Sequence, residues 1–164
     1  MRFFGIPLTR VDDLDTYFYG LVRSKTPRTI VTPNPEILLH AEQDQEFRSV
    51  LLLASDRLPD GIGLYLAEIM RESGLPRWLS IILMPYWGIR LLLGRRSIES
   101  KLGHRVQGSR LTEMLLNHAA REGWTVAILD RDASDWPEKL EAQHRAPAAI
   151  ETKFPGVHIH YETV

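Results

Sequence analysis

The chain has 164 residues, 44% hydrophobic and 25% charged, close to the averages for a globular domain, which excludes a disordered, collagen-like or disulfide-stapled chain. That length predicts one domain over residues 1–164, with a core large enough to need no staple, and the absence of cysteine removes thiol chemistry and Cys-type zinc sites. Twenty Lys+Arg against 21 Asp+Glu leave a net charge of −1 and no general attraction to nucleic acid, yet residues 71–110 hold eight basic and two acidic side chains, a local surface for phosphates or lipid headgroups.

The N-terminal apolar run is too short for a secretory signal, so a cytoplasmic protein is expected. Phe3–Leu8 reads as a short strand, and Asp12 or Asp13 can cap a helix running to about Val22. The β-branched triplet Thr29-Ile30-Val31 predicts a strand that ends at Thr32-Pro33-Asn34-Pro35-Glu36. Each proline pushes the residue before it out of the helical region, so Thr32 and Asn34 should be extended, and Pro35 suits the first turn of the next helix. A second helix is expected from Asp44 to about Leu53, then a strand or turn over Ala54–Pro59, then Asp60-Gly61-Ile62-Gly63 leading into a helix over Leu64–Arg71 that stops at Gly74. Ser109 can cap a helix ending at Gly123. Trp124–Leu129 is an apolar strand, a helical region over about Asp135–Lys153 is interrupted by Pro147, and Val157–Tyr161 is a last strand. Alternating strands and helices predict an α/β domain, Rossmann-like, with a largely parallel sheet flanked by helices.

In open α/β sheets ligands bind beyond the carboxyl ends of strands, which draws attention to three turns. Thr32–Glu36 presents a hydroxyl, an amide and a carboxylate on a stiff backbone, suited to a sugar or phosphate; the plainer reading is that Thr32 and Asn34 only cap and close a turn. Asp60-Gly61-Ile62-Gly63 places a carboxylate at a helix start with two glycines that would let a ligand come close, and its plainer reading is a helix N-cap. Asp130-Arg131-Asp132 follows a strand; its carboxylates could hold a divalent cation or could simply make a turn.

Ile30-Val31-Thr32-Pro33-Asn34-Pro35-Glu36, Ala41 through Asp44 to Phe47-Arg48, Leu58-Pro59-Asp60-Gly61-Ile62-Gly63 and His104-Arg105-Val106-Gln107-Gly108-Ser109-Arg110-Leu111, in this order, resemble the WecG/TagA/CpsF family of bacterial glycosyltransferases. Phe154-Pro155-Gly156-Val157 is similar to the family's Tyr-Pro-Gly stretch, so the resemblance extends over most of residues 1–161. It implies metal-independent, inverting transfer of an N-acetylmannosamine-type or related sugar from a UDP-sugar to a polyprenyl-diphosphate-linked acceptor, for cell-surface polysaccharides such as teichoic acid. On that likeness Asp60 is the general base and Thr32 lines the same catalytic pocket. Asn34, Gly61, Arg105, Gly108 and Arg110 bind substrate, with helix-start amides facing the donor phosphates. No cofactor is implied; a divalent cation at Asp130 and Asp132 is the variant reading.

Three features depart from the family's pattern. Asp130-Arg131-Asp132 stands where the family has a Gly-Gly turn, and carboxylates there repel a diphosphate unless Arg131 or a cation intervenes. The resemblance also leads one to expect a Gly-x-Pro-Lys-Gln-Glu-type segment and a basic membrane-holding tail beyond the last strand. This sequence does not include them, so a site completed by a partner chain, a homo-oligomer, or a silent membrane- or subunit-binding relative is the alternative. Finally, a hydrophobic helical insert occupies about residues 76–101, where the family has a short link. Trp78–Gly94 is a 17-residue run with one charge, short of a bilayer span and interrupted by Pro85 and Gly88. Trp78, Tyr86 and Trp87 suit the headgroup boundary, and Arg90, Arg95 and Arg96 suit anionic lipid, so the insert is expected to dock on the inner face of the cytoplasmic membrane. A buried helical hairpin or an oligomer contact is the competing reading. His158 and His160 alternate along a strand with no third metal donor at a suitable spacing, which predicts a surface face.

Overall fold

The computed structural model describes residues 2–93, 99, 103–130 and 137–163. They form eight helices and six short strands, a mixed α/β chain that divides into two compact units, residues 1–108 and 109–164. The strands pair two by two rather than in one sheet: two pairs are parallel and the N-terminal one is antiparallel.

In the first unit, β1 (Arg2–Phe3) and β2 (Ile6–Pro7) form a tight hairpin, not the single strand expected over Phe3–Leu8. Phe4 and Gly5 both take positive φ, 48° and 76°, the pair of left-handed residues that a two-residue hairpin turn needs. Helix α1 (Leu14–Val22) starts where the sequence puts it, with the Asp13 carboxylate accepting from the Thr16 N–H at 2.8 Å. β3 (Ile30–Val31) lies parallel to β4 (Asp56–Arg57), and between them run α2 (Pro35–Gln43) and α3 (Gln45–Leu53), capped by Asn34 and Asp44. Pro35 sits in the first turn of α2, as its fixed φ and missing N–H favour.

α4 (Ile62–Glu72) follows, then α5 (Arg77–Ile82) and α6 (Met84–Leu93), which break the insert at Leu83. Pro85 therefore lies in the first turn of α6, where proline is tolerated, and Gly88 is carried inside the helix. Ile6, Leu8, Leu38, Ala41, Leu51, Leu64, Tyr65, Ile69, Trp87 and Leu91 form the buried core. Trp87 is only 3% exposed, which corrects its expected place at a membrane boundary: with Leu91 one turn later, it fixes α6 to the core.

One arginine holds several of these pieces. The Arg57 guanidinium donates to the carbonyls of Pro7 at 2.8 Å, Ala54 at 2.6 Å, Leu52 at 3.1 Å and Leu51 at 3.3 Å, satisfying the end of α3 and tying it to the hairpin. At the start of the β3–β4 pair, the buried Asp56 carboxylate accepts from Arg28 at 2.6 Å and from the Tyr17 hydroxyl at 3.0 Å, so its charge is matched.

The second unit consists of α7 (Gly108–Glu122, its first residue counted with the first unit), β5 (Thr125–Asp130), α8 (Pro137–Lys153) and β6 (His158–Thr163), β5 and β6 running parallel. α7 begins at Gly108, so Ser109 is inside the helix rather than its cap, and Gly123, at φ 65°, ends it as expected. Pro147 does not interrupt α8; the helix passes through it among Ala146, Ala148 and Ala149, strong helix formers. Leu116, Ala119, Phe154 and Val157 form this unit's core. Gly156, at φ 100°, comes so close to α7 that an added Cβ would stand 2.7 Å from the Ala120 carbonyl, which fixes the Phe-Pro-Gly turn. His158 and His160 lie on the exposed face of β6.

Candidate functional site

The β3–β4 pairing continues past both strands and brings two of the singled-out turns together. Leu58 N–H bonds the Val31 carbonyl at 2.8 Å and Asp60 N–H bonds the Pro33 carbonyl at 3.1 Å, so Thr32–Asn34 runs alongside Leu58–Asp60 at the carboxyl ends of the strands. A third segment joins through Val106, whose N–H bonds the Pro59 carbonyl at 3.3 Å, while His104 N–H bonds the Val11 carbonyl at 2.6 Å. Pro33, Leu58, Pro59 and Val106 are fully buried beneath this junction, so it rests on packed side chains rather than on loops.

Thr32, Asp60 and Gly108 meet there. Gly108 donates its N–H to Asp60 Oδ2 at 3.4 Å, a long bond, and a Cβ at Gly108 would stand 2.9 Å from Thr32 Oγ1 and 3.6 Å from Asp60 Oδ2. Glycine at 108 is therefore a requirement of close approach. Asp60 does not cap α4: the cap position is Gly61, at φ 87°, with no side-chain hydrogen bond. The carboxylate is thus released from the role that local sequence favoured. Thr32 Oγ1 makes no hydrogen bond among the described residues, and both Thr32 and Asp60 are half-buried.

Asn34 does cap a helix, its Oδ1 accepting from Ile37 N–H at 2.8 Å; the amide nitrogen has no partner among the described residues. The glycines of the Asp60 turn also have a packing role on the side facing Pro35. A Cβ on Gly63 would lie 2.9 Å from Pro35 Cγ, and one on Gly61 would lie 3.7 Å from Pro35 Cδ, so the turn is packed on Pro35. Pro35 and Gly63 are thus supports that were absent from the predicted site, although the two prolines around Asn34 were their sequence signal.

Arg105 is half-buried, and no hydrogen bond or ion pair joins it to Thr32, Asn34 or Asp60 among the described residues. Its charge is felt at Tyr65, whose hydroxyl donates to the Gly103 carbonyl at 3.1 Å. Burial first, and the Glu99 carboxylate second, push the Tyr65 phenol up to about 12, with Arg105 opposing. Gly103, at φ 84°, lies so close to Val11 that a Cβ would stand 2.8 Å from its carbonyl, which together with Tyr65 anchors the segment leading to Gly108. Arg110 is exposed on the first turn of α7, in the second unit.

The remaining candidates stand elsewhere. Asp130 Oδ2 accepts from the Tyr161 hydroxyl at 2.7 Å, and Arg131 and Asp132 lie outside the described residues. Of the insert, Trp78, Tyr86 and Arg90 are exposed; Arg95 and Arg96 lie outside the described residues. Among the described residues no helix is long and apolar enough to cross a membrane.

No curated protein matches the chain. Residues 1–86 match the model of the glycosyl transferase WecG/TagA/CpsF family. That stretch contains Thr32, Asn34, Asp60 and Gly61 and stops short of Gly108, which the fold itself brings to them. Since the match spans just over half of the 164 residues, the chain belongs to the glycosyl transferase WecG/TagA/CpsF family.

Proposed function

We propose that the chain is an inverting glycosyltransferase of cell-surface polysaccharide synthesis, moving an N-acetylmannosamine-type or related sugar from a UDP-sugar to a polyprenyl-diphosphate-linked acceptor, with Asp60 as general base. The observation that carries this reading is the convergence of Thr32, Asp60 and Gly108 at the strand ends, with Asp60 not engaged in capping α4. In the reaction the acceptor hydroxyl oxygen forms a bond to the anomeric carbon from the face opposite UDP. The bond from that carbon to the UDP oxygen breaks, UDP leaves with the electron pair, and the hydroxyl proton passes to an Asp60 carboxylate oxygen. Thr32 Oγ1 holds the acceptor hydroxyl or a sugar hydroxyl, and the free Asn34 amide nitrogen donates to a sugar or phosphate oxygen. The first-turn amides of α4, which no side chain caps, together with Arg105, offset the charge on the departing UDP. The proposed transfer routes no step through a metal.

The test is acceptor-dependent UDP release by the full chain, using a panel of UDP-sugars with a polyprenyl-diphosphate-GlcNAc analogue, with and without divalent cation. Release with one donor, unchanged by chelator, is the expected result. No release with any donor from folded protein would refute it and leave a silent, binding relative.

A further inference from the structure

α5 and α6 carry two apolar faces, and the described residues of the fold cover one of them. On α6, Trp87 and Leu91 enter the core. Tyr86, Ile89 and Leu93, at i, i+3 and i+7, form a second stripe on the outside, with Leu93 85% exposed. On α5, Trp78, Ile81 and Ile82 repeat that pattern at i, i+3 and i+4, all more than half exposed, while the small Ser80 is the residue that turns inward. Arg90 completes the α6 stripe at i+4, and with Tyr86, Ile89 and Leu93 it lines a shallow concavity of about 410 Å³. A helix apolar all round normally lies wholly inside a protein or in a lipid phase, and α6 is only partly covered.

Charge decides what covers the outer face. Between Glu72 and Glu99 the sequence holds four arginines, 77, 90, 95 and 96, and no carboxylate. A second copy of this face would set Arg90 against an apolar or equally basic surface, with no acid among the described residues of α5 and α6 to offset it. A surface of anionic headgroups over an apolar layer complements both properties at once. We propose that α5 and α6 form a membrane-docking platform that lies in the plane of an anionic lipid surface, Trp78, Ile82 and Leu93 entering the acyl boundary and Arg90 reaching the headgroup phosphates. Trp78 and Tyr86 have the amphipathic rings that settle at that boundary. The platform does not depend on the sugar chemistry, so vesicle binding and UDP release can fail separately.

The full chain is mixed with phosphatidylcholine vesicles containing about 30% phosphatidylglycerol, or with phosphatidylcholine alone, at about 0.1 M and 0.5 M salt, and sedimented. The chain should sediment with the anionic vesicles, weaken at high salt and stay in the supernatant with the neutral ones. Arg90→Gln should weaken partitioning about fivefold. Ile82→Ser with Leu93→Ser, both exposed and so expected to keep the circular dichroism spectrum, should weaken it more than about tenfold. A chain that ignores both vesicle types, binds them equally at either salt, or binds undiminished in the double variant overturns the proposal. So does a dimer on a sizing column that the double variant turns into a monomer without vesicle binding, because that assigns the face to a second copy. If the double variant loses its fold, Arg90→Gln and the salt dependence still decide: no change in either is a refutation.

Discussion

Replacing Gly108 by alanine isolates the contact on which the site depends. The new Cβ would stand 2.9 Å from Thr32 Oγ1, a separation that real Cβ atoms do not show, so Thr32 and the Gly108 segment must part by about half an ångström. Overpacking of this kind costs about 1–3 kcal/mol, while alanine gains about 1 kcal/mol over glycine in a helix. The net loss of about 0–2 kcal/mol lowers the Tm by no more than about 8 °C. Activity is more sensitive, because Asp60 and Thr32 lose their mutual placement, and a displacement of this order costs roughly 10–100-fold in kcat/KM. Gly20→Ala in α1 is the control: a Cβ there meets nothing within 4 Å, so the helix gain appears as about 0.5–1 kcal/mol of added stability with unchanged turnover. Paired measurements of UDP release and thermal unfolding on both variants make the test. Full activity in a folded Gly108→Ala protein would refute the convergence of Thr32, Asp60 and Gly108 as the working site.

Three further outcomes follow from the geometry. Arg57→Ala strands four carbonyls at the end of α3 and the hairpin and should cost about 2–3 kcal/mol in chemical denaturation, and Arg57→Lys should recover little because one ammonium cannot reach them all. Burial raises the Tyr65 phenol to about 12, from an unfolded value of 10.0, so its contribution to stability is complete below pH 10 and is lost as pH rises from there through 12. Tyr17, raised by burial and then by its bond to Asp56, acts in the same direction. Unfolding measured from pH 8 to 12 should fall less steeply above pH 10 in Tyr65→Phe, which also loses about 1 kcal/mol at neutral pH with the bond to Gly103; an identical slope would contradict the burial of this phenol. Asn34→Ala removes the α2 cap and should cost about 1 kcal/mol of stability, whereas Asn34→Asp should keep the cap and still weaken donor binding; a variant Asp that binds UDP-sugar normally would remove the amide nitrogen from the site.

Much of this arrangement could be read from the sequence because local chemistry dictates it. Asp13, Asn34 and Asp44 cap helices, Pro35 opens one, and Gly74 and Gly123 take left-handed conformations at helix ends. The order Thr32, Asp60, Gly108 was legible as a motif, but their contact was not, since it depends on the parallel pairing of β3 with β4 and on the bond from Val106 to Pro59. Asp60 at a helix start looked like a cap because capping is a local property; its release needs Gly61 at φ 87°, which sequence does not display. Trp87 was misplaced for a related reason: when a helix is apolar on every side, periodicity cannot say which face meets the core. The run Phe3–Leu8 looked continuous because a two-residue turn needs only Gly5 and one more residue willing to take positive φ. Pro147 does not break its helix, because the helix formers around it, Ala146, Ala148 and Ala149, offset part of the cost of the missing bond.

The most direct test of Asp60 as the base is single-turnover sugar transfer by the Asp60→Asn variant beside the natural chain, with UDP-sugar binding measured on both. Asparagine keeps the shape and the oxygen facing Gly108 but cannot take the acceptor proton. The expected result is a rate lower by about 10²–10⁴-fold with donor affinity and fold retained. A variant that transfers sugar at the natural rate would contradict the account.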